Sequence, residues 1–310
     1  MKISNTFLFD RASDQMSRVQ AQMVKSQAQV ASGKQVLKPS DEPQQAALIQ
    51  RYKSLLARQE NYVENIGLVK SRLDIESTAV ESSIALMYRV KELTVQATND
   101  TLSGPDRQAI ATELTGLRDQ LLSMANAQDA GGNFLFAGSR VGQTPFAPPA
   151  ADPAAPEVYH GDRTRMEVLI GDQRTLPINR PGPEVFGRVV RVDGQGQSEG
   201  VGFFQALEDL TAAVANSEQS GMQRGNKEVD DLLTGLVLAQ ADIGTDMSNL
   251  EQQNETLEDL IITIKLNLGS VEDLDYTKAI TLMNKQMMSL EAAQSSFAKI
   301  SQLSLFDYLR

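Results

Sequence analysis

Hydrophobic positions recur at helical spacing towards both ends of the chain, and a different pattern separates the two helical stretches. Between residues 12 and 32, Met16, Val19, Met23, Ser26 and Val30 alternate spacings of three and four. That is the seam of a short, partly polar coiled coil. Gly33 ends it, and Lys34 to Pro43 reads as a loop, with Ser40 or Asp41 as N-cap and Pro43 in the next first turn. A long helix is predicted over 44–98, with the stripe Leu48, Tyr52, Leu55, Gln59, Tyr62, Ile66, Val69, Leu73, then Val80, Ile84, Met87 and Val90. A third helix starts at Pro105, capped by Ser103 or Gly104, with Ile110, Leu114, Leu117, Leu121 and Met124 on its apolar face.

From Asn126 to Pro149 the periodicity gives way to Gly131-Gly132, Phe134, Phe136, Gly138 and prolines, and residues 147–156 are almost all Ala, Pro and Asp. Short strand-like runs follow at 157–159, 166–170, 175–178 and 185–192, separated by Gly-Asp and Pro-Gly-Pro turns. They predict four to six strands. Helix resumes at Phe203 and again after Gly221, where Val229, Leu233, Leu236, Gln240, Ile243, Met247, Leu250, Asn254, Leu257, Ile261, Ile264 and Leu268 form the most regular stripe of the chain. Gln240 and Asn254 read as polar residues that set register. Asp273 to Asp275 break this helix, and a last one carries Ile280, Met283, Met287, Leu290, Gln294, Phe297 and Ser301.

The fold class that follows is mainly α with a β insert: a long antiparallel helical bundle or coiled coil formed by the N- and C-terminal halves, with a small β domain in the middle. Three parts are expected. Residues 1–40 and 276–310 make a terminal coiled-coil assembly domain, 41–146 and 201–275 a helical bundle, and 147–200 a β-rich outer domain whose removal leaves the helical stripes unbroken. Each terminal segment has a narrow stripe and one intrachain partner. Ordering such a segment costs roughly 1–2 kcal/mol per residue in backbone entropy, so neighbouring copies must supply the missing faces. The residues expected at that interface are Ile3, Phe7, Met16, Val19, Met23 and Val30 near the start, and Ile280, Met283, Met287, Leu290 and Phe297 in the last helix. The tail adds Leu303, Leu305, Phe306, Tyr308 and Leu309, two of them aromatic in a position where solvated tails rarely carry such residues.

Composition removes several function classes. The chain of 310 residues has no cysteine, no tryptophan and one histidine, His160. Disulfides, thiolate chemistry and Cys/His zinc sites are therefore excluded. No second histidine completes a serine-histidine or metal site, and the pairs Asp230-Asp231 and Glu258-Asp259 diverge on a helix. No catalytic, cofactor-binding or metal-binding residue is assigned, and the chain is not expected to be an enzyme. Gly194-Gln195-Gly196 is followed by Glu199 where a dinucleotide loop needs glycine, so it reads as a turn. Between Phe203 and Asp275 there are 15 acidic and 3 basic residues, a net of −12 against −11 for the whole chain. This reads as a solvated helix face. With no basic stripe, nucleic acid is not an expected partner, nor is a membrane. The start of the chain lacks the apolar run of a cleaved signal peptide, so export is expected to be uncleaved.

Both ends carry motifs of a known family. Met1-Lys2-Ile3-Ser4-Asn5, Ala31-Ser32-Gly33-Lys34-Gln35-Val36 running into Pro39-Ser40-Asp41-Glu42-Pro43, and the ending Leu303-Ser304-Leu305-Phe306-Asp307-Tyr308-Leu309 resemble the flagellin superfamily. Gly132-Asn133-Phe134-Leu135-Phe136-Ala137-Gly138 with Thr144-Pro145-Phe146 is more similar to subunits of the hook–filament junction than to filament flagellins. The resemblance implies a non-catalytic structural subunit of the bacterial flagellum, secreted unfolded through the flagellar type III apparatus after binding an export chaperone. It implies assembly of copies in a ring, between hook-associated protein 1 below and flagellin above, with the terminal helices lining the channel. Filament flagellin, or an intracellular helical scaffold, are the competing functions.

Overall fold

The computed structural model describes residues 2–149, 155–192 and 198–306. Long helices dominate: α1 (Lys2–Ser32), α2 (Pro43–Ala97), α3 (Gly104–Ala125), α5 (Phe203–Ala215), α6 (Gln219–Glu272) and α7 (Tyr276–Phe306). Between α3 and α5 lie β1 (Phe146–Ala147), β2 (Val158–Tyr159), β3 (Glu167–Gly171), β4 (Arg174–Pro177), the single turn α4 (Gly182–Val185), β5 (Val189–Val192) and β6 (Ser198–Val201). The class is the one the periodicity predicts, mainly helical with a β insert. Local chemistry sets several boundaries. Ser103 caps α3 in a capping box with Asp106, with Pro105 in the first turn. The hydrogen bonds from Ser103 hold the Asp106 carboxyl below its usual range. Gly221 does not start a helix, as the sequence suggests; it lies inside α6, where a Cβ would meet Ala213 Cβ at 2.6 Å. Its bare backbone permits the close crossing of α5 and α6.

The chain falls into two compact units, one of residues 61–258 and one joining 1–60 to 259–310. In the central unit α2 and α6 run antiparallel, tied by Lys70 to Glu251 at 3.1 Å, Gln240 Nε2 to Ser77 Oγ at 2.9 Å and Lys91 to Asp230 at 2.6 Å. The strands form three separate antiparallel ladders, β1–β2, β3–β4 and β5–β6. Two-stranded ladders are marginal alone, and these are held by the helices. Ile170 and Leu176 of β3–β4 pack with Ile66, Val69, Leu73, Leu250 and Leu257. Phe146, Val185, Phe186, Val189 and Val201 join the larger cluster of α2, α3, α5 and α6. Residues 170–189 of the insert thus supply part of the helical core. Arginines strengthen the tie. Arg191 of β5 forks onto Glu228 of α6 through Nε at 2.7 Å and Nη2 at 2.8 Å, and Arg118 of α3 pairs with Glu157.

The segment Phe134–Gly138 is part of this core. Leu135, Phe136 and Ala137 are fully buried. Phe136 meets Phe186 edge-on at 5.4 Å, and Phe186 meets Phe203 in the same way. Gly182 N–H and the Tyr159 hydroxyl both donate to the Phe136 carbonyl, and burial pushes the Tyr159 hydroxyl up to about 12. His160 is structural, its ring 3.2 Å from the Ala147 carbonyl.

A charged layer separates the two apolar clusters. On α2 it falls between Leu73 and Ala79, on α6 between Ile243 and Leu250. Glu76 is 0% exposed and accepts from Arg180 Nη1 at 3.3 Å, while Arg180 also pairs with Asp246. Arg72 approaches Glu76 at 3.8 Å, binds Asp129 at 3.1 Å and donates to the Leu135 carbonyl at 3.2 Å. Charge pairing recovers only part of the cost of desolvating these groups, so the layer adds little net stability.

Candidate assembly interface

The terminal unit has little core of its own. Neither apolar cluster includes any of its described residues. Its buried apolar side chains among those described are Ile49, Ile264 and Ala279, joined by the polar Ser26 and Gln59. α1 and α7 run antiparallel and touch along one seam. Met16, Val19, Met23 and Val30 are half-buried, and Ser26 Oγ donates to Gln286 Oε1 at 3.1 Å.

Polar contacts fasten the corner where the helices turn. The Gln35 N–H donates to the Glu272 carbonyl at 2.8 Å and the Leu274 N–H to the Gly33 carbonyl at 3.0 Å. The Glu272 carboxylate takes Lys34 and Lys53, each at 2.9 Å. Hydrogen bonds from Lys34 and Lys53 hold that carboxyl below its usual range and raise the Lys34 ammonium in return. Lys265 pairs with Glu60 at 3.3 Å, and Lys25 with Asp41 at 3.3 Å. Apart from Asp41, read as an N-cap candidate, and Lys34, quoted in the family motif, these charges were not singled out from sequence, because charges off the apolar stripe carry no periodic signal.

The seam on α7 differs by one position from the predicted one. Met283, Leu290 and Phe297 are half-buried as expected, but Ala279, Gln286 and Ala293 complete the stripe, whereas Ile280 and Met287 are 43% and 45% exposed. Ala279 and Ala293 keep the seam narrow and Gln286 meets Ser26 of α1, while Ile280 and Met287 turn outward. Phe7 is 63% exposed on α1. Leu282 and Met288 on α7, and Ile262 and Leu266 on α6, extend the uncovered apolar surface. Ile3, Leu303, Leu305 and Phe306 lie on helical backbone, their side chains outside the described part; Tyr308 and Leu309 lie outside the described residues altogether, as do Gly194-Gln195-Gly196. On α6, Gln240 holds its seam position, but Asn254 bonds along its own helix to Glu258 at 2.6 Å. Its neighbour Gln253 is buried and accepts from Arg174 at 2.6 Å, fixing β4 on α6.

So thin a core places the terminal unit at the low end of local stability. Limited proteolysis of the dilute protein is therefore expected to remove most of α1 and α7 and leave a product of roughly residues 40–275, identified by mass spectrometry. Equal protection along the chain would show that α1 and α7 need no further partner.

Among the described residues no helix is long and apolar enough to cross a membrane, and no cluster of three or more acidic or histidine side chains could hold a metal ion.

Over its full length the chain is 25% identical to flagellar hook-associated protein 3 of Salmonella typhimurium, and covers all of it. Listeria monocytogenes flagellin is 20% identical, over 97% of this chain and 96% of its own. The structure of hook-associated protein 3 from Legionella pneumophila superposes with a TM-score of 0.64 at 17% identity, over 72% of this chain and 98% of that one, a likeness of fold. The bacterial flagellin N-terminal helical region matches residues 3–141 and the C-terminal helical region residues 227–309. Both helical regions, together more than two thirds of the chain, are present in order, and the chain belongs to the flagellin family.

Proposed function

We propose that this chain is a structural, non-catalytic subunit of the bacterial flagellum that joins hook to filament. The observation that carries this reading is the end-to-end similarity to hook-associated protein 3, which exceeds that to flagellin. The physical support is the terminal unit, whose helices leave Phe7, Ile280 and Met287 uncovered. On this reading copies form a ring through residues 1–40 and 276–310. The ring sits on hook-associated protein 1 and receives flagellin, and the apolar residues of the tail serve neighbouring copies or an export chaperone before them. The 41–146 and 201–275 bundle and the 147–200 segment form its outer parts.

A junction subunit must meet one surface below and another above without repeating its own end-to-end contact. A heterologous contact that repeats makes a fibre; one that meets a different partner stops. Cells lacking the protein are expected to keep hooks, synthesise flagellin and release it into the medium, as read by microscopy and by flagellin in culture supernatants. Full-length filaments on such cells would overturn the junction role. Growth of the pure protein into filaments from seeds would make it a filament subunit.

A further inference from the structure

Within the central unit, α2 and α6 border a groove of about 460 Å³ lined by Val63, Ile66, Gly67, Lys70, Leu250 and the Glu251–Glu258 stretch of α6. Ile66 and Leu250 are buried at its base, and a Cβ on Gly67 would meet nothing within 4 Å. The floor of the groove is open over Gly67. The rim carries Glu251, Glu255 and Glu258 against the single cation Lys70. Lys70 pairs with Glu251 at 3.1 Å and Asn254 donates to Glu258 at 2.6 Å, both on the exposed surface.

The chain presents a complementary face elsewhere. On α7, Lys278, Leu282, Lys285 and Met288 follow one another at spacings of four, three and three, on a side that does not meet α1. Leu282 is 49% and Met288 64% exposed. The described length of α7 holds three lysines and one glutamate, the reverse of the balance in α6. Lys278 is 86% exposed, and its pair with Asp275 at 3.0 Å competes weakly with another partner. Lys278 and Lys285 are seven residues apart, as are Glu251 and Glu258, which on both helices is about 10.5 Å. Matched pitch and opposite charge are the means by which flanking positions choose partners in helix packing.

We infer that the Lys278–Met288 face of α7 in one copy docks into the α2–α6 groove of another copy, with Leu282 over Gly67 and the lysines along the glutamate rim. Donor face and groove are different surfaces, so each copy gives one contact and receives one, the heterologous arrangement that builds rings. The contact rests on the reading that copies of this chain assemble with one another.

A chain without cysteine makes the test direct. Gly67→Cys and Leu282→Cys each place a thiol at an open position, so neither disturbs the fold. Mixed at high concentration under mild oxidation, the two full-length variants should give a mixed disulfide dimer about tenfold in excess of either homodimer. Adding Lys278→Glu and Lys285→Glu to the Leu282→Cys chain should remove that excess, and Glu251→Lys with Glu258→Lys on its partner should restore it. A mixed dimer no more abundant than the homodimers, or one indifferent to charge reversal, overturns the inference. So does a chain carrying both thiols that closes on itself at a rate independent of concentration. Any of these results leaves the junction role standing, because that role is read from filaments on cells.

Discussion

Arg180→Leu is expected to lower the stability of the 61–258 unit by about 1–3 kcal/mol at neutral pH, the cost of leaving a buried carboxyl without its hydrogen-bond donor, and by more at higher pH, where the group must ionise unpaired. Glu76 has no exposed surface, and Arg180 supplies its direct hydrogen bond; Arg72 stands 3.8 Å away and is committed to Asp129 and the Leu135 carbonyl. Burial already pushes the Glu76 carboxyl from 4.5 up to about 7, against the pull of Arg180 and then Arg72. Without Arg180 the carboxyl rises further. An acid raised in the folded state contributes fully below its unfolded value of 4.5 and loses stability as pH climbs towards the folded value. The deficit of the variant relative to the parent should therefore be larger at pH 8 than at pH 5, roughly by the additional shift at 1.36 kcal/mol per unit. Denaturant unfolding at the two pH values measures it. An equal deficit at both would mean that the loss is one of packing and that Glu76 is not the group left stranded.

Gly138→Ala should cost about 3 kcal/mol, since a left-handed backbone and a clash act together. Gly138 has φ +71°, and its Cβ would press into both the carboxylate and the backbone carbonyl of Asp162. That carboxylate cannot retreat. It accepts the Ser139 N–H at 2.8 Å and the Thr164 N–H at 3.0 Å, with the Ser139 hydroxyl as well, and these bonds hold it far below the usual carboxylate range. Relief must come from moving the backbone beside Phe136, which would disturb the aromatic cluster. The control is Gly116→Ala, exposed inside α3 with nothing within 4 Å of the new methyl. It should gain up to about 1 kcal/mol of helix propensity. Thermal unfolding of both variants decides the matter, and a Gly138→Ala protein as stable as the parent would show that the Asp162 loop yields freely.

Helices were legible because their signals are local and redundant. Ser103 with Asp106, Pro43 and Gly33 mark ends, and the stripe of α6 from Val229 to Leu268 matches burial at almost every turn. What stayed hidden depended on the partner's shape. The register of α7 was read from its largest apolar residues, but the face of α1 opposite carries Ser26, so Gln286 faces inward and Met287 outward. The charged layer left only a gap in the α2 stripe between Leu73 and Val80, at the place Glu76 occupies. An ionisable residue at a seam position is the signal that could have found it, although its partner Arg180 sits 104 residues away. Phe134–Gly138 was read as a family signature; its burial gives a physical reason for those residue types, an apolar plug between helices and ladders.

The two units differ in how much chain must exist before each can close. The central one is a continuous stretch, residues 61–258, whereas the terminal one unites segments from opposite ends, and its Ser26–Gln286 contact spans 260 positions. Loop-closure entropy must be overcome before so distant a contact is rewarded. In a chain that emerges from its N-terminus, the first sixty residues therefore wait without their partners while the middle folds, and the assembly helices are the last part to settle. A copy released unfolded at its destination forms its centre first while its ends stay uncommitted, and the neighbours that meet those ends compete with the chain's own closure.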